Sequence, residues 1–209
     1  WIPITDVNGG AIAVSTVLPD FTIDGRVSAD HPLVLGTGYN RPEDMEMQTL
    51  ADGTQLLYFT TTDSDNNGNT ADGRSRVYNI NLTTIVVQLF AASTFTDLAT
   101  GLPAAGGFRN ADNLAIDAEG NIYIIEDRNG GDDDDIWFAA DLNKDGDLLD
   151  ADEGLARWAS NGTQGSEFTG LYFDPHNPGR AYVNIQHPAS GVDRMIEIST
   201  SPNLGVGKK

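Results

Sequence analysis

The sequence predicts an all-β fold, a β-propeller of which the chain forms about three to four blades, and three observations support this. Glycine accounts for 23 of the 209 residues, and Asp, Asn and Thr are frequent, which is typical of turn-rich β structure. One pattern of two short strands around a glycine-containing turn recurs three times. Helical periodicity is nearly lacking, with residues 94–102 as a marginal exception.

The recurring pattern has a polar opening, a short apolar strand, a turn, and a second strand with an aromatic residue at a matching place. Another alternating strand follows each hairpin. Short antiparallel strands in this rhythm are typical of propeller blades, which are four-stranded sheets arranged around an axis. A β-sandwich of similar strands is the alternative. The copies lie near residues 41–82, 110–142 and 166–199, with Tyr58, Tyr123 and Tyr182 as the matching aromatic residues.

Three blades do not close a ring, since propellers have roughly four to eight. Residues 1–40 contain strand-like pieces that can supply part of another blade or an outer strand. Open ends of the array would present unpaired strand edges. We therefore expect residues 1–209 to form one partial propeller domain. The missing blades would come from the same parent protein or from another chain.

The charge of the chain restricts its partners. Lys and Arg number 12 against 31 Asp and Glu, so the net charge is −19, which disfavours nucleic acids and anionic membranes. There is no cysteine, hence no disulfide or thiolate site within this chain, and no apolar run of about 18 residues that would span a bilayer. The start at Trp1, without Met or a signal segment, suggests a processed piece. We expect a secreted protein, extracellular or periplasmic, that binds cations.

Polar residues flank a strand that should be buried. Residues 122–125 are apolar on both faces of any strand, yet Glu126 and Asp127 follow directly, and Asp112 and Asn113 open the same segment. Carboxylates at the ends of a buried strand cost several kcal/mol unless something pairs with them. These polar side chains therefore need a partner, which the segment itself does not identify.

A cation is one answer. Aligned by their tyrosines, the three repeats bring Glu43-Asp44, Asp112-Asn113 and, more loosely, Glu167 to comparable places at the channel mouth. Carboxylates crowded into a narrow mouth repel one another, and a divalent or trivalent cation removes that penalty. Hard oxygen ligands select Ca²⁺ or a similar metal. The alternative is that these residues only cap strands and form Asx turns.

A second metal signal is local. Residues 141–152, "DLNKDGDLLDAD", follow the pattern of a calcium loop, with Gly146 at the position of the sharp turn. The loop follows a strand instead of a helix, so it is not an EF-hand domain, and an acidic residue other than Glu closes it. A plain acidic turn is the alternative. The predicted ligands at positions 1, 3, 5, 7 and 12 are Asp141, Asn143, Asp145, Asp147 and Asp152.

Several motifs, among them "YNRPEDMEM", "DNLAIDAEGNIYIIEDR", "GSEFTGLYFDP" and "NIQHPASG", together resemble the C-terminal part of the PhoX-type alkaline phosphatases. The likeness extends from about Trp1 to Ile198. It implies a secreted β-propeller that hydrolyses phosphate esters with calcium and iron at the channel mouth. It implies that Glu43 and Glu126 are ligands of the catalytic metal cluster. It implies as neighbouring ligands Asp44, Glu46, Asp112, Asn113 and Asp127.

The resemblance also implies metal-assisted hydrolysis, in which metals hold the phosphate oxygens and stabilise developing charge. Arg128 is the candidate for a basic residue that steadies the phosphoryl group, with Arg41 and Arg109 as alternatives. The iron site of the family uses a cysteine thiolate, which this chain lacks. We therefore expect Ca²⁺, with Fe³⁺ as a further candidate, and only part of the catalytic site within these 209 residues.

Two other functions stay open. The chain can be a non-catalytic extracellular module, stabilised by calcium and used for structure or assembly. It can also be a calcium-dependent propeller lactonase or esterase. Turnover of a phosphomonoester that depends on added metal would separate the phosphatase from both.

Overall fold

The computed structural model describes residues 2–39, 41–62, 75–127, 134–163 and 165–199. The described residues form strands and one short helix, and the all-β prediction is confirmed. No helix within these ranges is long and apolar enough to cross a membrane. The chain divides into two compact units, Trp1–Tyr39 and Asn40–Lys209.

The first unit is small. A two-residue antiparallel pair joins β1 (Thr16–Val17) to β2 (Ile23–Asp24), and helix α1 (Gly25–Ala29) follows directly. The Asp24 side chain caps α1 by accepting a hydrogen bond from Val27 N.

The described residues of the second unit form three sheets, in which every strand pairing but one is antiparallel. The first sheet has the order β3 (Pro42–Thr49), β4 (Gln55–Thr61), β5 (Arg76–Asn81) and β6 (Val86–Ala92). The second has β9 (Ala111–Ile116), β10 (Ile122–Glu126), β11 (Asp134–Ala140) and β12 (Gly154–Asn161), extended beyond β12 by β7 (Thr96–Asp97) and β8 (Leu102–Pro103). The third has β13 (Glu167–Phe173), β14 (Arg180–Gln186) and β15 (Arg194–Ser199).

Each sequence repeat thus contributes one sheet, and consecutive strands are neighbours in it, as in a propeller blade. The matching tyrosines lie on the second strand of the first and third sheets and on β10, which pairs directly with β9. None of the sheets that the described residues form closes on itself, which agrees with a partial propeller.

Strand β10 is apolar on both faces because it lies between two cores. Ile122 and Ile124 belong to a cluster with residues of the first sheet, such as Tyr58 and Phe90. The alternate residues belong to a second cluster, shared with the third sheet. That cluster includes Tyr123, Ile125, Phe168, Leu171 and Val183. The middle sheet is therefore covered on both faces, while each outer sheet packs one face against it.

Candidate metal centre

Carboxylates from all three sheets interact electrostatically near the starts of β3, β9 and β13 and the end of β10. Burial, followed by the negative charges of Asp127 and Glu43, raises the pKa of Asp112 to about 6. Burial, a side-chain contact with Asp127 and the charge of Asp112 raise the pKa of Glu167 to about 7. We call Glu43, Asp112, Asp127 and Glu167 the acidic mouth.

Two chain segments are tied together so that Asp112 and Asp127 lie side by side. Asp127 N donates to Asn110 O at 2.9 Å, and Asn110 Nδ2 donates to Asp127 O at 2.7 Å. Asn110 has a φ of 46°, a left-handed conformation that Asn tolerates better than most residues. Thr62 Oγ1 lies 3.4 Å from Asp112 Oδ1, so the first sheet contributes a hydroxyl donor to this carboxylate.

Two other predicted ligands accept hydrogen bonds that join neighbouring sheets. Asp44 Oδ2 accepts from Leu114 N at 2.9 Å, which links the first sheet to the second. Asn113 Oδ1 accepts from Thr169 Oγ1 at 2.9 Å and from Gly170 N at 3.2 Å, which links the second sheet to the third. These contacts fit the capping alternative for both residues.

Glu46 lies on β3, three residues after Glu43. Partial burial, followed by the charge of Asp44, raises the pKa of Glu46. Its role as a ligand remains a prediction.

Glu126 is fully buried, and N–H donors surround its carboxylate. Oε1 accepts from Arg109 N at 2.7 Å and from Trp137 Nε1 at 2.9 Å, and Oε2 accepts from Asp135 N at 3.0 Å. These donors account for the burial of the charge without a cation. The metal-ligand role of Glu126 therefore remains a prediction from the resemblance.

The predicted basic residue Arg128 lies outside the described residues. Of its two alternatives, Arg41 is at the acidic mouth: its Nη2 lies 2.9 Å from Glu43 Oε1, and its charge lowers the pKa of Asp112, against the larger effect of burial. Arg109 donates from Nε to Gly106 O at 2.9 Å. Of these two arginines, Arg41 is therefore the one that forms an ion pair with a carboxylate of the acidic mouth.

Glu167 was aligned with Glu43 in the sequence but not predicted as a ligand. Gln186 Nε2 donates to Glu167 Oε1, and His187 Nε2 lies 3.5 Å from the same oxygen. His187 has a φ of 56°, and its backbone N–H donates to Asp193 Oδ1. The signal for Glu167 was its place at the opening of the third repeat. Its partners, Gln186 and His187, lie about 20 residues later in the sequence, and no spacing rule predicts contacts at that separation.

The donor chemistry of the mouth fits a hard cation. Its four members offer carboxylate oxygens, the ligands that Ca²⁺ prefers. Asp127 Oδ1 is buried and has no hydrogen-bond partner among the described residues. Across those residues, however, no three acidic or histidine side chains are close enough to hold a metal ion. Ligation would therefore require the carboxylates to draw closer, which their mutual repulsion opposes until a cation neutralises them.

The predicted calcium loop has the tight turns expected of it. Asp141 Oδ2 accepts from Gly146 N at 2.9 Å, and Asn143 Oδ1 accepts from Asp145 N at 2.9 Å. Asp145 Oδ1 accepts from Asp147 N at 3.1 Å. Gly146 has a φ of 90°, which explains why glycine occupies the turn.

Glu153, one residue after the predicted closing position, folds back over this loop. Its Oε1 accepts from Leu142 N at 2.9 Å, and its Oε2 accepts from Asp150 N at 3.3 Å. Glu153 is buried, while Asp152 is exposed and has a φ of 70°. The ligand role of Asp152 remains a prediction. Glu153 was visible in the sequence as an adjacent acidic residue, but its direction depends on the backbone conformation of Asp152.

The loop also packs against the first sheet. Asn79 Nδ2 donates to Gly146 O at 2.5 Å. Burial, followed by the charges of Asp141 and Asp145, raises the pKa of Tyr58 above its usual value. A Cβ on Gly146 would lie 2.3 Å from Leu56 Cδ1. The loop therefore connects the second sheet to the first.

Comparisons with known proteins agree with this architecture. None of the curated proteins matches the chain. One similar solved structure is Pseudomonas fluorescens PhoX in complex with vanadate, a transition state analogue, with a TM-score of 0.58 and 19% identity. The match covers 95% of this chain but 40% of that one, and at this identity it shows the fold alone. The family model for alkaline phosphatase PhoX matches residues 1–189. The chain therefore belongs to the alkaline phosphatase PhoX family.

Proposed function

We propose that this chain is the metal-binding part of a phosphoester hydrolase of the alkaline phosphatase type. The observation that carries the proposal is the convergence of carboxylates from three sheets at one end of the fold. Family membership gives the reaction class. The vanadate bound to the similar Pseudomonas fluorescens protein, a transition state analogue, supports phosphoryl chemistry for this chain as well.

The cation we propose at the mouth is Ca²⁺, held by Glu43, Asp112 and Asp127 with Glu167 as an additional ligand. Burial and neighbouring negative charge raise the pKa values of Asp112 and Glu167, which favours a bound cation, because it replaces the protons that these two carboxylates otherwise retain. Fe³⁺ is supported by the resemblance alone, since this chain contains no cysteine to supply a thiolate.

A bound cation would supply charge neutralisation for the phosphoryl oxygens. The chain's own residues would orient the substrate. Arg41 is half-exposed, and its guanidinium shares a carboxylate of the mouth, so it can pair with a phosphoryl group in a bidentate way. Glu43 holds that guanidinium at 2.9 Å and so limits the directions from which a phosphoester can approach.

We propose that residues 141–153 bind a second Ca²⁺ with a structural role. Asp141, Asn143, Asp145 and Asp147 have the predicted spacing, and their oxygens already organise the loop backbone. Glu153 replaces Asp152 as the residue we expect to close the site. Because the loop contacts Asn79, binding there would stabilise the packing of the second sheet on the first.

The partners we propose are phosphomonoesters and further propeller blades. The chain spans about 40% of the length of the similar structure. Apolar side chains lie exposed on both outer sheets: Met45 is 63% exposed on the first, and Met195 is 70% exposed on the third. Further blades would cover these faces. Export from the cell agrees with the family and with the charge of −19.

A second candidate is a calcium-stabilised structural or assembly module without catalytic activity. Two observations favour it: the exposed apolar faces and the spacing of the acidic side chains, of which no three in the described ranges could hold a metal ion as they stand. In that case the loop at 141–153 would bind Ca²⁺ while the mouth would not.

The test is turnover of p-nitrophenyl phosphate by chelated protein, before and after adding Ca²⁺, Fe³⁺ or both. We expect metal-dependent hydrolysis that Asp127→Asn abolishes. Glu119→Gln is the matched control, since Glu119 is an exposed acid in the turn between β9 and β10. Calcium binding without turnover in any metal, in the longest form of the protein that can be made, would favour the structural module.

A further inference from the structure

We infer that Glu126 and Trp137 act as a positioning pair that fixes the spacing of Asp112 and Asp127, with Glu126 accepting N–H groups rather than ligating the cation. The inference rests on the proposed function, because it assumes that the acidic mouth binds a cation. It assigns a role to Trp137, which no sequence motif indicates.

The contacts of Glu126 come from separate segments of the chain. One donor is the backbone of Arg109, ahead of β9, and two belong to β11, the N–H of Asp135 and the indole of Trp137. Hydrogen bonds to an ionised acceptor are roughly twice as strong as neutral ones. Three of them on a fully buried carboxylate fix its position and hold the three segments together.

Two of those segments carry residues of the acidic mouth. Asp127 directly follows Glu126, and Asp112 lies three residues after Arg109. Two hydrogen bonds between Asn110 and the Asp127 backbone continue the connection toward the mouth. The hydrogen bonds of Glu126 and Asn110 thus connect the segment that carries Asp112 to the segment that carries Asp127.

Trp137 is a rigid donor. It is 1% exposed, and its ring meets Phe108 edge-to-face with a centroid distance of 6.0 Å. The guanidinium carbon of Arg157 lies 5.2 Å from the ring centroid, and Arg157 Nε is 2.8 Å from Asp135 Oδ2. Packing and the cation–π contact hold the indole N–H toward Glu126.

The experiment compares Glu126→Gln and Asp127→Asn in the full 209-residue chain. Calorimetric titration gives the Ca²⁺ affinity, and thermal unfolding of chelated protein gives the melting temperature. We expect Asp127→Asn to weaken mouth binding by tenfold or more and to leave the metal-free melting temperature unchanged or higher. Glu126→Gln should lower that temperature by at least about 4 °C and weaken binding by less than tenfold.

Trp137 is tested by replacement with benzothienylalanine, which keeps the ring shape but lacks the N–H. This variant should fold, and its loss of Ca²⁺ affinity should match that of Glu126→Gln, with no further loss when the two are combined. In a background with the other tryptophans changed to Phe, Glu126→Gln should shift the Trp137 emission to the blue. A purely structural Trp137 would leave affinity unchanged in the benzothienylalanine variant, and that result would overturn the inference.

Two other outcomes are distinct. If Glu126→Gln abolishes binding as completely as Asp127→Asn while the metal-free protein keeps its melting temperature, Glu126 is a direct ligand and the inference is wrong. If neither Asp112→Asn nor Asp127→Asn changes Ca²⁺ binding beyond the Glu119→Gln control, the mouth does not bind the cation. That result contradicts the proposed function itself.

Discussion

The acidic mouth should make the metal-free protein less stable as the pH rises. An acid whose pKa is higher in the folded state than in the unfolded state retains its proton longer when folded. Its contribution to stability is therefore complete below the unfolded pKa and is lost as the pH rises through the folded pKa. The pKa of Asp112 is about 6 against an ordinary 3.8, so its contribution declines between about pH 4 and pH 7.

The magnitude follows from the pKa values. Each pKa unit corresponds to about 1.36 kcal/mol, so the difference for Asp112 sets an upper bound of about 3 kcal/mol. Asp112 is half-buried, and solvent screening reduces this to about 1–2 kcal/mol. Glu167, with a pKa of about 7, should act in the same direction and extend the decline above pH 7. Both effects should vanish when Ca²⁺ binds at the mouth.

The assay is urea unfolding of chelated protein from pH 4.5 to 8, for the wild type and for Asp112→Asn. Because the net charge of −19 also destabilises the protein as pH rises, the informative quantity is the difference between the two proteins. The wild type should lose about 1–2 kcal/mol more than Asp112→Asn across this range. A difference that stays constant, or that favours the wild type at high pH, would refute the placement of Asp112 among like charges.

Three further predictions concern the loop and the links between sheets. Gly146→Ala should lower the free energy of unfolding by about 2 kcal/mol or more in a urea titration, because its Cβ would lie 2.3 Å from Leu56 Cδ1 at a φ of 90°. Asn113→Ala removes the acceptor for Thr169 and Gly170, and we expect a loss of about 1–2 kcal/mol in the same measurement. Asp145→Ala should abolish one Ca²⁺ site in a calorimetric titration and leave binding at the mouth intact; retention of both sites would contradict the loop assignment.

The sequence predicted the architecture well because its signals are local. Alternating strands, glycine turns and a matching tyrosine identify each sheet, and the doubly apolar run 122–125 correctly indicated a strand covered on both faces. The first sheet extends beyond its predicted repeat to β6, where exposed and buried residues do not alternate and two apolar residues, Val86 and Leu89, are exposed.

The site was less predictable because its contacts are distant in sequence. Glu126 is satisfied by Arg109 N and by a tryptophan 11 residues later, and neither donor has a sequence pattern. Glu167 finds its partners in Gln186 and His187 at the end of a neighbouring strand. The sequence shows that a buried carboxylate needs a hydrogen-bond partner. Which residue is that partner depends on how the strands pair in the sheet.

One regularity unites these residues. The polar openings and endings of the strands come as adjacent pairs, and two of these pairs, Glu43-Asp44 and Glu126-Asp127, lie at register shifts of their sheets. In each pair one member bonds to a neighbouring sheet or strand: Asp44 to Leu114, Asn113 to Thr169.

The pair that ends β10 follows the same division, with Glu126 bonded to Trp137. The other member of each pair belongs to the acidic mouth, and these members are Glu43, Asp112 and Asp127. The two interpretations of the sequence, capping and cation binding, are therefore compatible, because one member of each pair makes the hydrogen bonds and the other belongs to the acidic mouth. The hydrogen-bonded residues hold neighbouring sheets together. The spacing of the sheets then determines the spacing of the adjacent residues of the acidic mouth. On this argument a substitution at Asp44 or Asn113 should weaken cation binding at the mouth as well as the sheet contacts, and the ligand roles of both residues remain predictions.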